Sequence, residues 1–211
     1  MCYSLESSYH SWLQTLFGTF ILLFIDQSPT NIWIVLFSLT FTQIQILEAL
    51  MWAKQDPNPL GKYTVPLLWV QPLIQTIGAY IVVRQQSLKY LIIYYSLVLT
   101  YQTYKAFYED RFEIKKSDSG HLIWIRYSNG ERISISSKYF VTQMSYLFGL
   151  FYGLTFMESS IKKYSLISFG FVQLIRTYLS YPIEEFNSMW CYISTGYIYI
   201  AILADLTKLK I

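Results

Sequence analysis

The stretch Thr42 to Trp52, TQIQILEALMW, puts two glutamines and a glutamate at the end of an apolar run that opens as NIWIVLFSLTF from Asn31. In a soluble protein such a run is a core helix. In a bilayer it is a span, and an ionisable group inside a span costs about 2.5 to 3.5 kcal/mol on insertion scales. The reading of Glu48 therefore depends on which solvent surrounds the rest of the chain.

Of the 211 residues, 54% are hydrophobic and only 14% charged, against roughly 25% charged in an ordinary soluble domain. Mean hydropathy is a modest +0.32, because much of the apolar surface comes from 20 Tyr, 14 Phe and 6 Trp, rings suited to membrane interfaces. A bilayer core needs about 17 to 25 mostly apolar residues per helix. Seven stretches qualify, near 10–25, 31–53, 65–83, 88–107, 139–157, 164–181 and 187–205; the first, third and fifth are short or polar-flecked, so a count of six stays open. The opening MCYSLESSYH lacks the basic region of a secretory signal, and no small-residue cleavage site follows the first run, which reads as a retained helix. The expected architecture is an all-α membrane protein. It is a bundle of seven transmembrane helices forming one polytopic domain over 1–211, with a small extramembrane β-hairpin insert over 109–138, between helices 4 and 5.

With seven spans, the N-terminus shares face A with loops 54–64, 108–138 and 182–186, and the C-terminal tail lies on face B. Loop 108–138 gives face A more Lys and Arg, yet it carries Glu109, Asp110, Glu113, Asp118 and Glu131 as well. On face B the cations flank helix ends in short segments: Arg84 and Lys89, Lys162 and Lys163, Lys208 and Lys210. Short loops are where the positive-inside bias is most reliable, which puts the C-terminus in the cytoplasm and the N-terminus outside. Within loop 108–138, HLIWIRY and RISIS alternate around Ser128-Asn129-Gly130-Glu131, and Asn-Gly between alternating segments is the strongest short hairpin signal. Two or three strands are expected there, as a cap or as a flap that contacts a ligand.

Arg176, in FGFVQLIRTYLSYP, is the one basic residue well inside another span. The second and sixth helices run in the same direction, so Glu48 and Arg176 are expected at similar depth. Gln45 and Gln173 each precede the charge by three residues, on the same helical face. This suggests two parallel three-helix repeats around the fourth helix, a 3+1+3 order, with a site at their interface. Glu48 and Arg176, helped by Gln45 and Gln173, are then either a structural ion pair or a substrate-binding pair.

Cys2, Cys191, His10 and His121 all fall on face A. Free thiols, a Cys2–Cys191 disulfide and a Cys/His zinc site remain open, since no C-x-x-C or H-x-x-x-H spacing is present. An N-terminal Cys2 exposed by removal of Met1 would offer an amine and thiol as a nucleophile pair, but no triad pattern accompanies it. No cofactor can be named from these residues.

Several segments carry a resemblance: the opening MCYS, the Q-x-x-E-A-x-x-W of Gln45 to Trp52, NPLGKYTVPLLWVQPLIQ over 58–75, Gly120-His121-Leu122 and Ser188-Met189-Trp190-Cys191. Together, over nearly the whole chain, they resemble an uncharacterised family of small polytopic membrane proteins from bacteria, where the start is often Met-Cys-Phe-Ser, and from large DNA viruses. The resemblance implies an integral membrane protein and supplies no activity. The Tyr, Ile and Lys usage suits a viral or AT-rich genome. The helix order is also similar to that of the PQ-loop, SWEET and KDEL-receptor group, although this chain has Gln71-Pro72 in place of Pro-Gln.

A small-solute transporter or ligand-binding membrane protein is the leading functional expectation, resting on Gln43, Gln45, Glu48, Gln71, Gln75, Gln173 and Arg176 within spans and on Pro66, Pro72 and Gly78 in the third. His121 is a further candidate ligand contact, and a small molecule a candidate ligand. A membrane enzyme would use Cys2, Glu48, His121 and Cys191. A structural or assembly protein would need no site. The lipid bilayer is the expected partner; there is no P-loop, no dinucleotide glycine fingerprint and no basic patch adequate for nucleic acid. Oligomeric state is not legible.

Overall fold

Serines start the helices earlier than the apolar runs alone suggest. Ser4 Oγ accepts from the Ser7 amide at 3.1 Å while Ser7 Oγ accepts from the Ser4 amide at 3.2 Å. This reciprocal cap begins α1 (Leu5–Ile25) five residues ahead of the first apolar stretch. Ser28 caps α2 (Pro29–Ala53), with Pro29 in the first turn, where its missing N–H costs nothing. Ser159 does the same for α6 (Ser160–Ser180).

A computed structural model of the chain describes residues 4–118, 120–133, 140–181 and 195–208. Between α2 and α6 lie a 3₁₀ turn (Asn58–Tyr63), α3 (Thr64–Val83), α4 (Gln86–Tyr108), strands β1 (Arg111–Lys116), β2 (Leu122–Ser128) and β3 (Glu131–Ile133), α5 (Phe140–Tyr152) and a second 3₁₀ turn (Gly153–Phe156). The last described helix is α7 (Tyr197–Lys208). The described residues are mostly helical, at 78%, with one small antiparallel sheet in the order β1-β2-β3.

Each of the seven expected stretches holds a described helix, though 187–194 lie outside the described residues. Among the described residues two helices are both long and apolar enough to cross a membrane: Pro29–Ala53 and Asn58–Val83. α1, α4 and α6 have the length, at 21, 23 and 21 residues. Their apolarity is diluted by Ser, Thr, Gln and Tyr, and in α6 by Lys162 and Lys163.

Helices α1 to α4 pack in sequence order, α7 lies against α1, α2 and α6, and α5 leans mainly on α3. The main core joins Leu22, Trp33, Ile34, Phe37, Phe41, Leu150, Leu154, Leu166, Ile198 and Ala201, all buried. Gly78 sets the α2–α3 spacing: a Cβ there would lie 1.9 Å from Trp33 Cδ1, so only hydrogen fits.

The sheet forms where the Asn-Gly pair predicts. Asn129 and Gly130 take φ of 53° and 78°, the left-handed pair that a two-residue hairpin turn requires, and Ser128 faces Glu131 across it. The sheet is a packed cap on the end of α2: Ile114 and Leu122 bury against Leu47 and Met51. The turn before α3 holds its edge, since Asn58 Oδ1 accepts from the Ile114 amide at 2.7 Å. Gly61 clears Phe112, whose Cβ would lie 2.5 Å from an added methyl.

Candidate functional site

α2 carries a row of polar residues into the interior. Asn31, Thr42, Gln45 and Glu48 are each 0% exposed and Ser38 3%. At about 100° per residue, Asn31, Ser38, Thr42 and Gln45 fall within about 60° of one another, with Glu48 about 60° further round. At about 1.5 Å rise per residue, Asn31 and Glu48 stand about 25 Å apart along the axis, close to the thickness of a bilayer core. α1, the antiparallel neighbour, answers with buried Ser8, Ser11, Thr15, Gly18 and Thr19. Thr15 and Thr19 donate back to the carbonyls of Ser11 and Leu16, at 3.0 and 2.6 Å. Ser8 Oγ, Ser38 Oγ and Thr42 Oγ1 are buried with no hydrogen-bond partner among the described residues.

One end of this row is a charged knot of three helices. Lys162 Nζ lies 2.6 Å from Asp205 Oδ1, with side chains 3% and 7% exposed. Asn31 closes the triangle: its Oδ1 accepts from Lys162 Nζ, and its Nδ2 donates to Asp205 Oδ2 at 2.9 Å and to the Asp26 carbonyl at 2.9 Å. Lys162 is in the first turn of α6 and Asp205 in the last turn of α7, each opposed by its own helix dipole. These positions are kept against local preference, so the cause is tertiary. Burial of both charges is sustained by the pairing and by the Asn31 amide, which bonds to each of them.

Two residues beyond Asn31 on α2, Trp33 Nε1 donates to Gln75 Oε1 at 2.8 Å, and Gln75 Nε2 donates to the Leu150 carbonyl at 2.9 Å. That carbonyl belongs to the last turn of α5, which lacks a full set of helical donors. The glutamine ties α2, α3 and α5 together. Gln71 accepts from the Tyr146 hydroxyl through Oε1, a second bond between α3 and α5.

The residues expected to form the site separate. Glu48 and Gln45 are fully buried on α2, whereas Arg176 is exposed on α6, and among the described residues no ion pair joins Arg176 to Glu48. The expectation of a Glu48–Arg176 pair is corrected: similar depth says nothing about which way a side chain faces. Arg176 precedes buried Thr177 by one residue, about 100° around the helix, which turns it outward. Gln173 is half-buried and lines a small apolar cavity of about 20 Å³ with Phe37, Phe41 and Tyr197. His121 is 1% exposed, its amide bonded to Ser117 Oγ at 2.9 Å and its ring edge-on to Tyr181 at 5.6 Å. It adjoins Leu122, which packs with the neighbours of Glu48, Leu47 and Met51. His10 is exposed, 3.5 Å from Glu6 on α1. Cys2 and Cys191, the disulfide or metal candidates, lie outside the described residues. Among the described residues no group of three His, Cys, Asp or Glu could hold a metal ion.

Sequence reasoning missed Lys162 and Asp205, which it treated as a loop cation and an unremarked end of a span. A signal was present: a lysine at a helix start and an aspartate near a helix end both oppose the dipole. No family model, curated protein or solved structure matches this chain.

Proposed function

We propose that this chain is a multi-pass integral membrane protein of transporter type, in which the polar row along α2 serves the passage of a small polar solute. The observation that carries this reading is a helix apolar enough to span a bilayer whose buried face holds Asn31, Ser38, Thr42, Gln45 and Glu48 over about 25 Å. In a bilayer such residues are expensive, face the bundle interior and mark solute or ion pathways. The outer faces support the membrane setting: Phe17, Phe20 and Phe24 on α1 are 65%, 71% and 93% exposed, and Leu97 on α4 and Leu179 on α6 are 66% and 76% exposed. Bulky apolar side chains left this bare on three helices suit contact with lipid. The N-terminus is read as outside and the C-terminus as cytoplasmic on the face-B cations that are not buried, Arg84, Lys89 and Lys163. The test uses purified protein in sealed vesicles, mixed rapidly with urea, glycerol, glycine, a monosaccharide or an acid pulse, with volume and internal pH followed. At least one of these should equilibrate faster than in empty vesicles and slow in Ser38→Leu and Thr42→Leu. Rates equal to empty vesicles for every solute and for the acid pulse would reject the reading.

A further inference from the structure

A second recess lies outside the helix interior. The β2–β3 hairpin does not cover the ends of α3, α4 and α5 completely, and between them is an open cleft of about 590 Å³. That size is within the range of small-molecule sites. Trp69 and Tyr101 give it an aromatic wall, and Lys105, Gln102 and Arg126 a polar one.

The two cations of the lining, Arg126 and Lys105, are held differently. Arg126 is committed: Nε donates to Asp110 Oδ2 at 2.6 Å, Nη2 pairs with the same oxygen, and Nη1 donates to Gln102 Oε1 at 3.0 Å. Because a guanidinium can only donate, Gln102 must turn its oxygen to Arg126, leaving its Nε2 donors for other partners. Lys105 is different. Its ammonium donates to Ser128 Oγ at 2.9 Å and lies 5.9 Å from the centre of the Tyr101 ring, and among the described residues no carboxylate pairs with it. Two of its three protons are left for a ligand. The carboxylate of the lining, Glu131, is exposed in the hairpin turn opposite Ser128.

We infer that this cleft binds a phosphate group, held by the Lys105 ammonium and the Gln102 amide, with the apolar part of the same molecule against Trp69 and Tyr101. Lys105 is in the last turn of α4, just before the chain leaves the helix for the sheet. In a bilayer that is headgroup depth, so the phosphate has two sources, a lipid headgroup or a soluble phosphate ester. The inference stands apart from transport, since it uses none of the groups on α2.

The test uses the full chain in nanodiscs of phosphatidylcholine with a minor fraction of phosphatidic acid, read by native mass spectrometry for retained lipid, and titration calorimetry with glycerol phosphate and inorganic phosphate. Lys105→Gln should lower binding about tenfold or more, the size expected for a charge-assisted contact. Lys105→Arg should retain it, and Lys89→Gln, at the other end of α4, should leave it unchanged. Retention of phosphatidic acid that depends on Lys105 identifies a lipid headgroup. Glycerol phosphate binding alone that depends on Lys105 identifies a soluble ester. Binding of neither probe, or binding that a folded Lys105→Gln variant matches, overturns the assignment. The melting temperature of that variant shows whether it is folded.

Discussion

Lys162 and Asp205, 43 positions apart in sequence, meet 2.6 Å apart at the buried end of three helices, with Asn31 bonded to both. Removing one partner leaves the other charge buried without its counterion. Lys162→Met or Asp205→Leu alone is expected to cost about 3 to 5 kcal/mol. The double replacement should be milder than the sum, because contacting groups are not additive. Thermal melting in detergent of the two single variants and the double measures the coupling; strict additivity would mean the pair does not interact in solution.

Glu48 and Arg176 should behave in the opposite way. With Arg176 exposed on α6 and Glu48 fully buried on α2, Arg176→Gln is expected to change stability by less than about 0.5 kcal/mol. Its effect should add to that of Glu48→Gln within about 0.5 kcal/mol. A coupling well above that, from the same melting experiment, would restore the ion pair that the structure separates.

Gly78→Ala tests the α2–α3 contact. The new methyl meets the Trp33 ring, so either the helices separate or the indole swings away and its bond to Gln75 is lost. A loss of about 1 to 3 kcal/mol is expected, typical of overpacking. An unchanged melting temperature would show that this interface is loose.

The sheet surface gives a pH prediction. A hydrogen bond from Lys115, and a second from the Tyr127 hydroxyl, hold the Glu113 carboxyl below its ordinary value of 4.5. The bond to Glu113 raises Lys115 above its ordinary 10.5. The Glu113 contribution is therefore present above pH 4.5 and lost as pH falls through the lower folded value. The Lys115 contribution is present below 10.5 and lost as pH rises through the higher one. Carbon-detected titration of Glu113 by NMR should show the depressed midpoint, and Tyr127→Phe should move it partway back up.

The path from sequence to fold was most legible where local chemistry decides. The apolar runs near 10–25, 31–53 and 164–181 became helices, and Asn129-Gly130 became the hairpin turn; the caps at Ser4, Ser28 and Ser159, which start those helices two to five residues earlier, are not part of the apolar pattern. The site was less legible because it depends on azimuth. Gln45 and Glu48 turned inward on α2 while Arg176 turned outward on α6, and no spacing within one helix sets its rotation against the others. Lys162 and Asp205 were overlooked for a related reason: counting cations near helix ends assumes they reach water, and Lys162 does not.

If the α2 row is a route through a bilayer, its residues become accessible from water while the outer side of the helix does not, which cysteine labelling in vesicles measures. In a background lacking Cys2 and Cys191, single cysteines replace Thr42, which is fully buried in the row, and Leu36, 47% exposed on the outer side of the same helix. A charged methanethiosulfonate reagent added to the aqueous phase is then followed by mass spectrometry. Thr42→Cys is expected to be modified as the route opens, and Leu36→Cys, facing lipid, to stay unmodified. Rapid modification of Leu36→Cys with Thr42→Cys protected would contradict it, since that is the pattern of a soluble protein with a dry core.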